Sequence, residues 1–236
     1  MKSILTYTRN DLRLIFRDPV LYFMFFVPVL FIILLRFAMP PLFEVLPVLT
    51  SYKMVILASI CLVTAMFPAF IFSFIMLDEK DLEVLAAIRV LPVSADGFIL
   101  HRLLFICLFS FFYNLLILVL SNLTEWSLAK MLLVSVPVAM ISPASCLIIT
   151  AFASNKIVGT TWMKGLNFLF MIPVLTYIFE GSWEYILGIL PYYWIFKIYD
   201  PGFQSLPFTI NYAVGLSYIL ILTYISTMLF KKRVYP

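Results

Sequence analysis

Apolar residues fall in six long runs along the chain, separated by short polar segments. A helix that crosses a membrane needs about 20 apolar residues. The runs at roughly 20–38, 54–77, 103–121, 131–153, 165–180 and 209–230 meet or approach that length. The run over 54–77 holds no charged residue; as a helix it is about 36 Å long, enough to cross with some tilt. Pro28, Pro137, Pro143 and Pro173 sit inside runs, which predicts kinks whose freed carbonyls are satisfied by neighbouring helices. The fourth run carries Ser135, Ser142, Ala144 and Ser145, small residues that let membrane helices approach closely. Asn114 lies inside the third run, and Arg36 ends the first, where it can snorkel to the interface.

The segments between runs are patterned too. Over 2–17, Lys2, Arg9, Arg13 and Arg17 form one helical stripe, with Ile4, Leu5, Leu12, Ile15 and Phe16 opposite. This is the pattern of a basic amphipathic helix in the headgroup region, or of a flank whose bases only fix topology. Asp18-Pro19 ends it. Residues 78–102, DEKDLEVLAAIRVLPVSADGFILHR, crowd charges into an otherwise apolar chain. A helix over 78–91 would place Glu79, Lys80 and Glu83 on one face and Val84, Leu85, Ile88 and Leu91 on another, with an acidic first turn and Pro92 as the stop. Such a helix either docks in a partner's groove or merely links spans. Residues 181–208 are apolar and aromatic but broken by Gly and Pro. They predict short outer, re-entrant helices with an aromatic belt from Trp183, Tyr192, Tyr193 and Trp194.

Composition agrees with a lipid solvent. The chain of 236 residues is 64% hydrophobic and 12% charged, against about 45–50% and about 25% in soluble domains. No room remains for a separate soluble catalytic domain. With six spans and the N-terminus inside, Lys2, Arg9, Arg13, Arg17, Lys80, Arg89, Arg102, Lys156, Lys164, Lys231, Lys232 and Arg233 fall on the inner side. Only Arg36, Lys53, Lys130 and Lys197 fall outside. That asymmetry predicts both termini in the cytoplasm. The first apolar run is too long for a cleaved signal peptide and lacks its small-residue cleavage site. The net charge of +4 reflects topology, because the bases do not cluster with stacking aromatics as nucleic-acid binding requires.

Candidate chemistry is sparse. The chain has seven glycines and no phosphate-cradling GxxxxGK[ST] loop. One histidine, His101, and three separated cysteines do not make a metal cluster. Cys61, Cys107 and Cys146 all fall in apolar runs and read as reduced packing residues. No ionisable residue interrupts the interior of a run, so proton-coupled transport is not expected. Any transport energy must come from outside the chain.

Three stretches resemble the membrane subunit of type-2 ABC exporters. RNDLRLIFRDPVLYFMFFVPVLF is similar to that family's elbow helix and first span. DEKDLEVLAAIRVLPVS resembles its acidic motif after the second span, with Glu79, Glu83, Leu85 and Pro92 in the motif positions. Lys80-Asp81 stands where the family has Gly-Thr. ILPYYWIF resembles the Pro-containing outer segment before the last span. The resemblance implies an all-α polytopic membrane protein with six transmembrane helices, an N-terminal elbow helix (Arg9, Arg13, Arg17) and a cytoplasmic coupling helix. It implies contact with an ATPase through Glu79, Lys80, Glu83, Leu85, Arg89 and Pro92, and a pathway along spans two and five near Ser59, Thr64, Asn167 and Met171. The implied assembly holds two ABC ATPase subunits, which bind ATP and Mg, and a second identical or homologous permease. It would sit in a bacterial plasma membrane and export an amphipathic or hydrophobic cargo such as a drug, antibiotic, peptide or lipid. A non-transporting immunity or binding protein and a polytopic membrane enzyme are the rival readings.

Overall fold

The computed structural model describes residues 2–82, 95–177, 184–199 and 207–234. Every regular element among them is helical. In chain order they are α1 (Lys2–Arg17), α2 (Pro19–Ile33), a π-helical turn (Leu34–Ala38), α3 (Met39–Val45), a 3-10 segment (Pro47–Tyr52) and α4 (Lys53–Asp81). Then come α5 (Ala95–Leu120), α6 (Leu128–Phe152), α7 (Lys156–Met171), a 3-10 segment (Ile172–Tyr177), α8 (Glu184–Leu187), α9 (Pro191–Tyr199) and α10 (Phe208–Val234). Six stretches are long and apolar enough to cross a membrane: Pro19–Val45, Pro47–Asp81, Ile99–Leu120, Leu128–Phe152, Lys156–Tyr177 and Phe208–Val234.

The bundle has two central helices and a ring around them. In α4 and α6, 72% of the most apolar stretch is buried, against 17–33% in the other four. α6 packs on α4, α5 and α10, and α4 also packs on α2, α5 and α7. The centre contains prolines: Pro68 in α4, and Pro137 and Pro143 in α6. Each proline removes one helical N–H. Hydroxyls tie the centre together, as where Ser142 Oγ of α6 donates to the Ala65 carbonyl of α4. At the periphery Tyr113 Oη of α5 donates to the Phe25 carbonyl of α2 at 2.6 Å. Neighbouring helices thus reach one another's backbone in a region without water.

Several boundaries differ from the sequence expectations. Residues 39–52, between the first two apolar runs, fold into α3 and a 3-10 segment. Residues 156–164, ahead of the fifth apolar run, open α7. Asn155 caps that helix by accepting from the Val158 N–H, and Thr160 and Thr161 return their hydroxyls to the Lys156 and Ile157 carbonyls. These polar residues are therefore satisfied within the helix. α9 was expected to carry an interfacial aromatic belt, but Tyr192 and Tyr193 are buried. α9 packs against α10 and α4, and its one cation, Lys197, is buried with its Nζ over the Tyr177 and Tyr193 rings. Tyr192 stacks edge-on to Phe170, and Trp194 Nε1 donates to the Gly188 carbonyl. Burial raises the hydroxyl pKa of both Tyr192 and Tyr199, which keeps them neutral. Trp183 lies outside the described residues.

Candidate functional site

One end of the bundle gathers the junctions α1–α2 and α6–α7, the end of α4 and the beginning of α5, and the ion pairs among the described residues collect there. Asp11 occupies the inner face of α1, buried beside Ile15, while Arg9, Arg13 and Arg17 are exposed. α4 continues past its apolar run to Asp81, so Asp78, Glu79 and Lys80 form its last turn. They do not open a new helix, as the acidic-first-turn reading expects. A helix C-terminus carries partial negative charge and disfavours carboxylates. Cations from other helices offset that cost.

The main cation is Arg102, in α5, whose side chain is only 4% exposed. Its Nη2 lies 2.8 Å from Asp11 Oδ1 and 2.8 Å from Glu79 Oε1. Its Nη1 lies 2.5 Å from Glu79 Oε2, and its Nε 3.3 Å from Asp11 Oδ2. The guanidinium fork therefore engages both oxygens of two carboxylates, the geometry that makes arginine–carboxylate pairs strong and directional. Around it, Lys156 Nζ at the start of α7 lies 2.7 Å from Asp78 Oδ2 and 3.6 Å from Asp18 Oδ2. Lys80 Nζ donates to the Ala153 carbonyl at the end of α6, at 3.1 Å. Arg233 of α10 stacks 4.1 Å from the centre of the Phe152 ring. Side chains of α1, α4, α5 and α7, with Asp18 at the head of α2 and the Ala153 carbonyl at the end of α6, thus meet at this end of the bundle.

This arrangement corrects part of the sequence reading. Arg102 is a buried hub within α5, so at this end an ionisable group does enter an apolar run. Glu79 and Lys80 reach different neighbours, the Arg102 guanidinium and the Ala153 carbonyl. Adjacent helical residues stand about 100° apart. Glu83, Leu85, Arg89 and Pro92 lie outside the described residues. Asp11 was missed entirely: one acid among three arginines and an apolar stripe looks like ordinary flank sequence. Its spacing of four from Ile15, on the apolar side, was the available signal.

The pathway candidates are scattered. Thr64 is fully buried in α4, its hydroxyl returned to the Ile60 and Cys61 carbonyls. Ser59 is half-buried and donates to the Val55 carbonyl. Asn167 and Met171 lie on α7; Met171 is exposed, and the buried Asn167 Oδ1 has no hydrogen-bond partner. Cys61 and Cys146 are buried free thiols.

Known proteins align with most of this chain. It is 27% identical over 209 residues to the fluoroquinolones export permease protein Rv2686c of Mycobacterium tuberculosis strain ATCC 25618 / H37Rv, covering 84% of this chain and 82% of that one. The fluoroquinolones export permease protein MT2760 of strain CDC 1551 / Oshkosh matches to the same extent. The profile of the family described as fluoroquinolones export permease protein Rv2686c-like matches residues 11–227. That match runs from Asp11 into the last of the six candidate spans, and so the chain belongs to the Rv2686c-like export permease family, membrane transport subunits rather than enzymes.

Proposed function

We propose that this chain is the permease half of an ATP-driven exporter for an amphipathic, drug-like cargo. The observation that carries the proposal is the polar layer around Arg102. It joins α1, α4 and α5 at the end of the bundle where α4 runs on to Asp81 and the charged segment begins. A push on that segment from an ATPase would reach Glu79 first, and through Arg102 the amphipathic helix α1 and the span in α5. In this reading α1 serves as the elbow helix and the segment after Asp81 as the coupling helix. The short helices α8 and α9 form the outer, re-entrant element. Coupling needs contacts that differ between two states, and a charge cluster shared by three helices is a contact set of that kind.

Two ATPase subunits binding ATP and Mg, a second identical or homologous permease, and both termini in the cytoplasm of a bacterial cell complete the assembly. The relatives carry the name of fluoroquinolone export permeases, which supports a drug-like cargo. The chain's own ring of exposed apolar side chains is equally consistent with lipid contact.

The test is reconstitution. Tagged protein extracted in mild detergent should bring down an ATPase, and vesicles holding both should accumulate a fluorescent fluoroquinolone only with ATP. Absence of any co-purifying ATPase, together with unchanged drug efflux after the ATPase is deleted, would reject the exporter reading.

A further inference from the structure

A second polar residue stands where lipid is expected, far from the Arg102 layer. Arg36 lies about 26 Å of helical rise beyond Pro19, at the opposite end of the bundle. It belongs to the π-helical turn Leu34–Ala38, in which the Met39 N–H donates to the Leu34 carbonyl, five residues back. Pro40 and Pro41 follow and offer no N–H to the Arg36 and Phe37 carbonyls. Such π turns are uncommon and recur at functional positions. Arg36 and the end of α5 line an open surface groove of about 360 Å³, whose walls include the exposed Ile33, Phe37, Val119 and Leu120. Asn122 completes the rim, held at φ 57°, a left-handed conformation that asparagine tolerates better than most residues. Among the described residues Arg36 has no carboxylate partner.

We infer that this slot is a site for one anionic phospholipid of the leaflet opposite the Arg102 layer. The guanidinium of Arg36 and the carboxamide of Asn122 take the headgroup phosphate, and the apolar walls take the upper part of an acyl chain. The charge argument is direct. An arginine at the lipid boundary without a carboxylate partner is complementary to a phosphate, which it can engage through two N–H groups. Slot chemistry matches the rest of the molecule, since Ile33, Phe37, Val119 and Leu120 present only carbon to the acyl chain. Glu44, the nearest acid along the chain, sits beyond the two prolines and forms no ion pair with Arg36.

Native mass spectrometry of the purified chain in detergent, titrated with phosphatidylglycerol or with diacylglycerol of the same acyl chains, tests the site. Wild type should retain a first phosphatidylglycerol that R36Q binds at least about tenfold more weakly, the fold-change for losing one charge-assisted pair. Diacylglycerol, which lacks the phosphate, should bind both proteins alike. Val119→Trp fills the slot at a half-exposed position and keeps Arg36; it should lose the same lipid. Equal phosphatidylglycerol binding by wild type and R36Q would mean annular lipid only and would overturn the site. So would retention by Val119→Trp, or a parallel loss of diacylglycerol in R36Q.

Discussion

Asp11 of α1 and Arg102 of α5, 91 residues apart in sequence, meet in a two-point ion pair at 2.8 and 3.3 Å. Because the same guanidinium also holds Glu79 of α4, the amphipathic helix α1 is fastened to two spans through one side chain. Burial makes this triad consequential. Charges removed from water are costly, and their attraction repays the cost only while all partners are present.

Replacing Arg102 by Met would strand the buried Asp11 and the part-buried Glu79 without their cation, a loss of about 3–5 kcal/mol. Thermal unfolding in detergent should show a large fall in Tm. Arg102→Lys keeps the charge but not the fork and should fall between wild type and Arg102→Met. Lys156→Ala, which breaks the half-exposed pairs to Asp18 and Asp78, should cost no more than about 1 kcal/mol. Equal shifts for Arg102→Met and Lys156→Ala would contradict the hub assignment.

Asp18 caps α2, its Oδ1 accepting from the Val20 and Leu21 N–H groups at 2.8 and 3.3 Å. Removing the cap in Asp18→Ala should lower stability by about 1 kcal/mol, within a range of about 0.5–2. Asp18→Asn keeps an accepting oxygen and should stay close to wild type. Similar losses for both variants would shift the role from capping to the Lys156 pair.

The six spans were legible because lipid imposes a crude and long-range rule, about 20 apolar residues per crossing. Asp18-Pro19 was legible as the α1–α2 break for a local reason, since proline and its predecessor both resist helix. Helix ends were less legible. Asn155 and the back-bonding Thr160 and Thr161 carry α7 well beyond its apolar run, and hydropathy does not register that satisfaction. The Arg102 hub was hidden for another reason: its partners lie 91 and 23 residues away. Burial of Arg102 depends on the folded placement of α1 and α4, which no local pattern encodes.

Two helical glycines separate tolerance from intolerance. A Cβ on Gly159 of α7 would meet Leu77 Cδ1 at 2.9 Å, the far end of a flexible side chain. A Cβ on Gly215 of α10 would meet Trp194 Cβ at 3.0 Å and Ile198 Cδ1 at 3.2 Å. Trp194 Cβ is fixed to the α9 backbone and cannot rotate away. Gly215→Ala should therefore push α9 from α10 and cost about 1–3 kcal/mol. Gly159→Ala should cost less, because Leu77 can change rotamer. Unfolding midpoints of the two variants in one detergent compare them directly, and a larger loss at Gly159 would reverse the ranking.

Topology is the premise on which the motor-side reading of the Arg102 layer rests, and it can be checked in intact cells. Asp81, at the end of α4, and Glu125, in the segment between α5 and α6, are both exposed and at opposite ends of the bundle. Cys61 and Cys146 are buried, whereas Cys107 is partly exposed, so a Cys107→Ala background leaves little native labelling. In that background a membrane-impermeant maleimide should label Glu125→Cys in intact cells and Asp81→Cys only after permeabilisation. The expectation follows from the heavy excess of Lys and Arg on the Asp81 side, which resists translocation. Labelling of Asp81→Cys from outside would put Asp11, Glu79 and Arg102 on the face away from any cytoplasmic ATPase, and the proposed coupling route would fail with it.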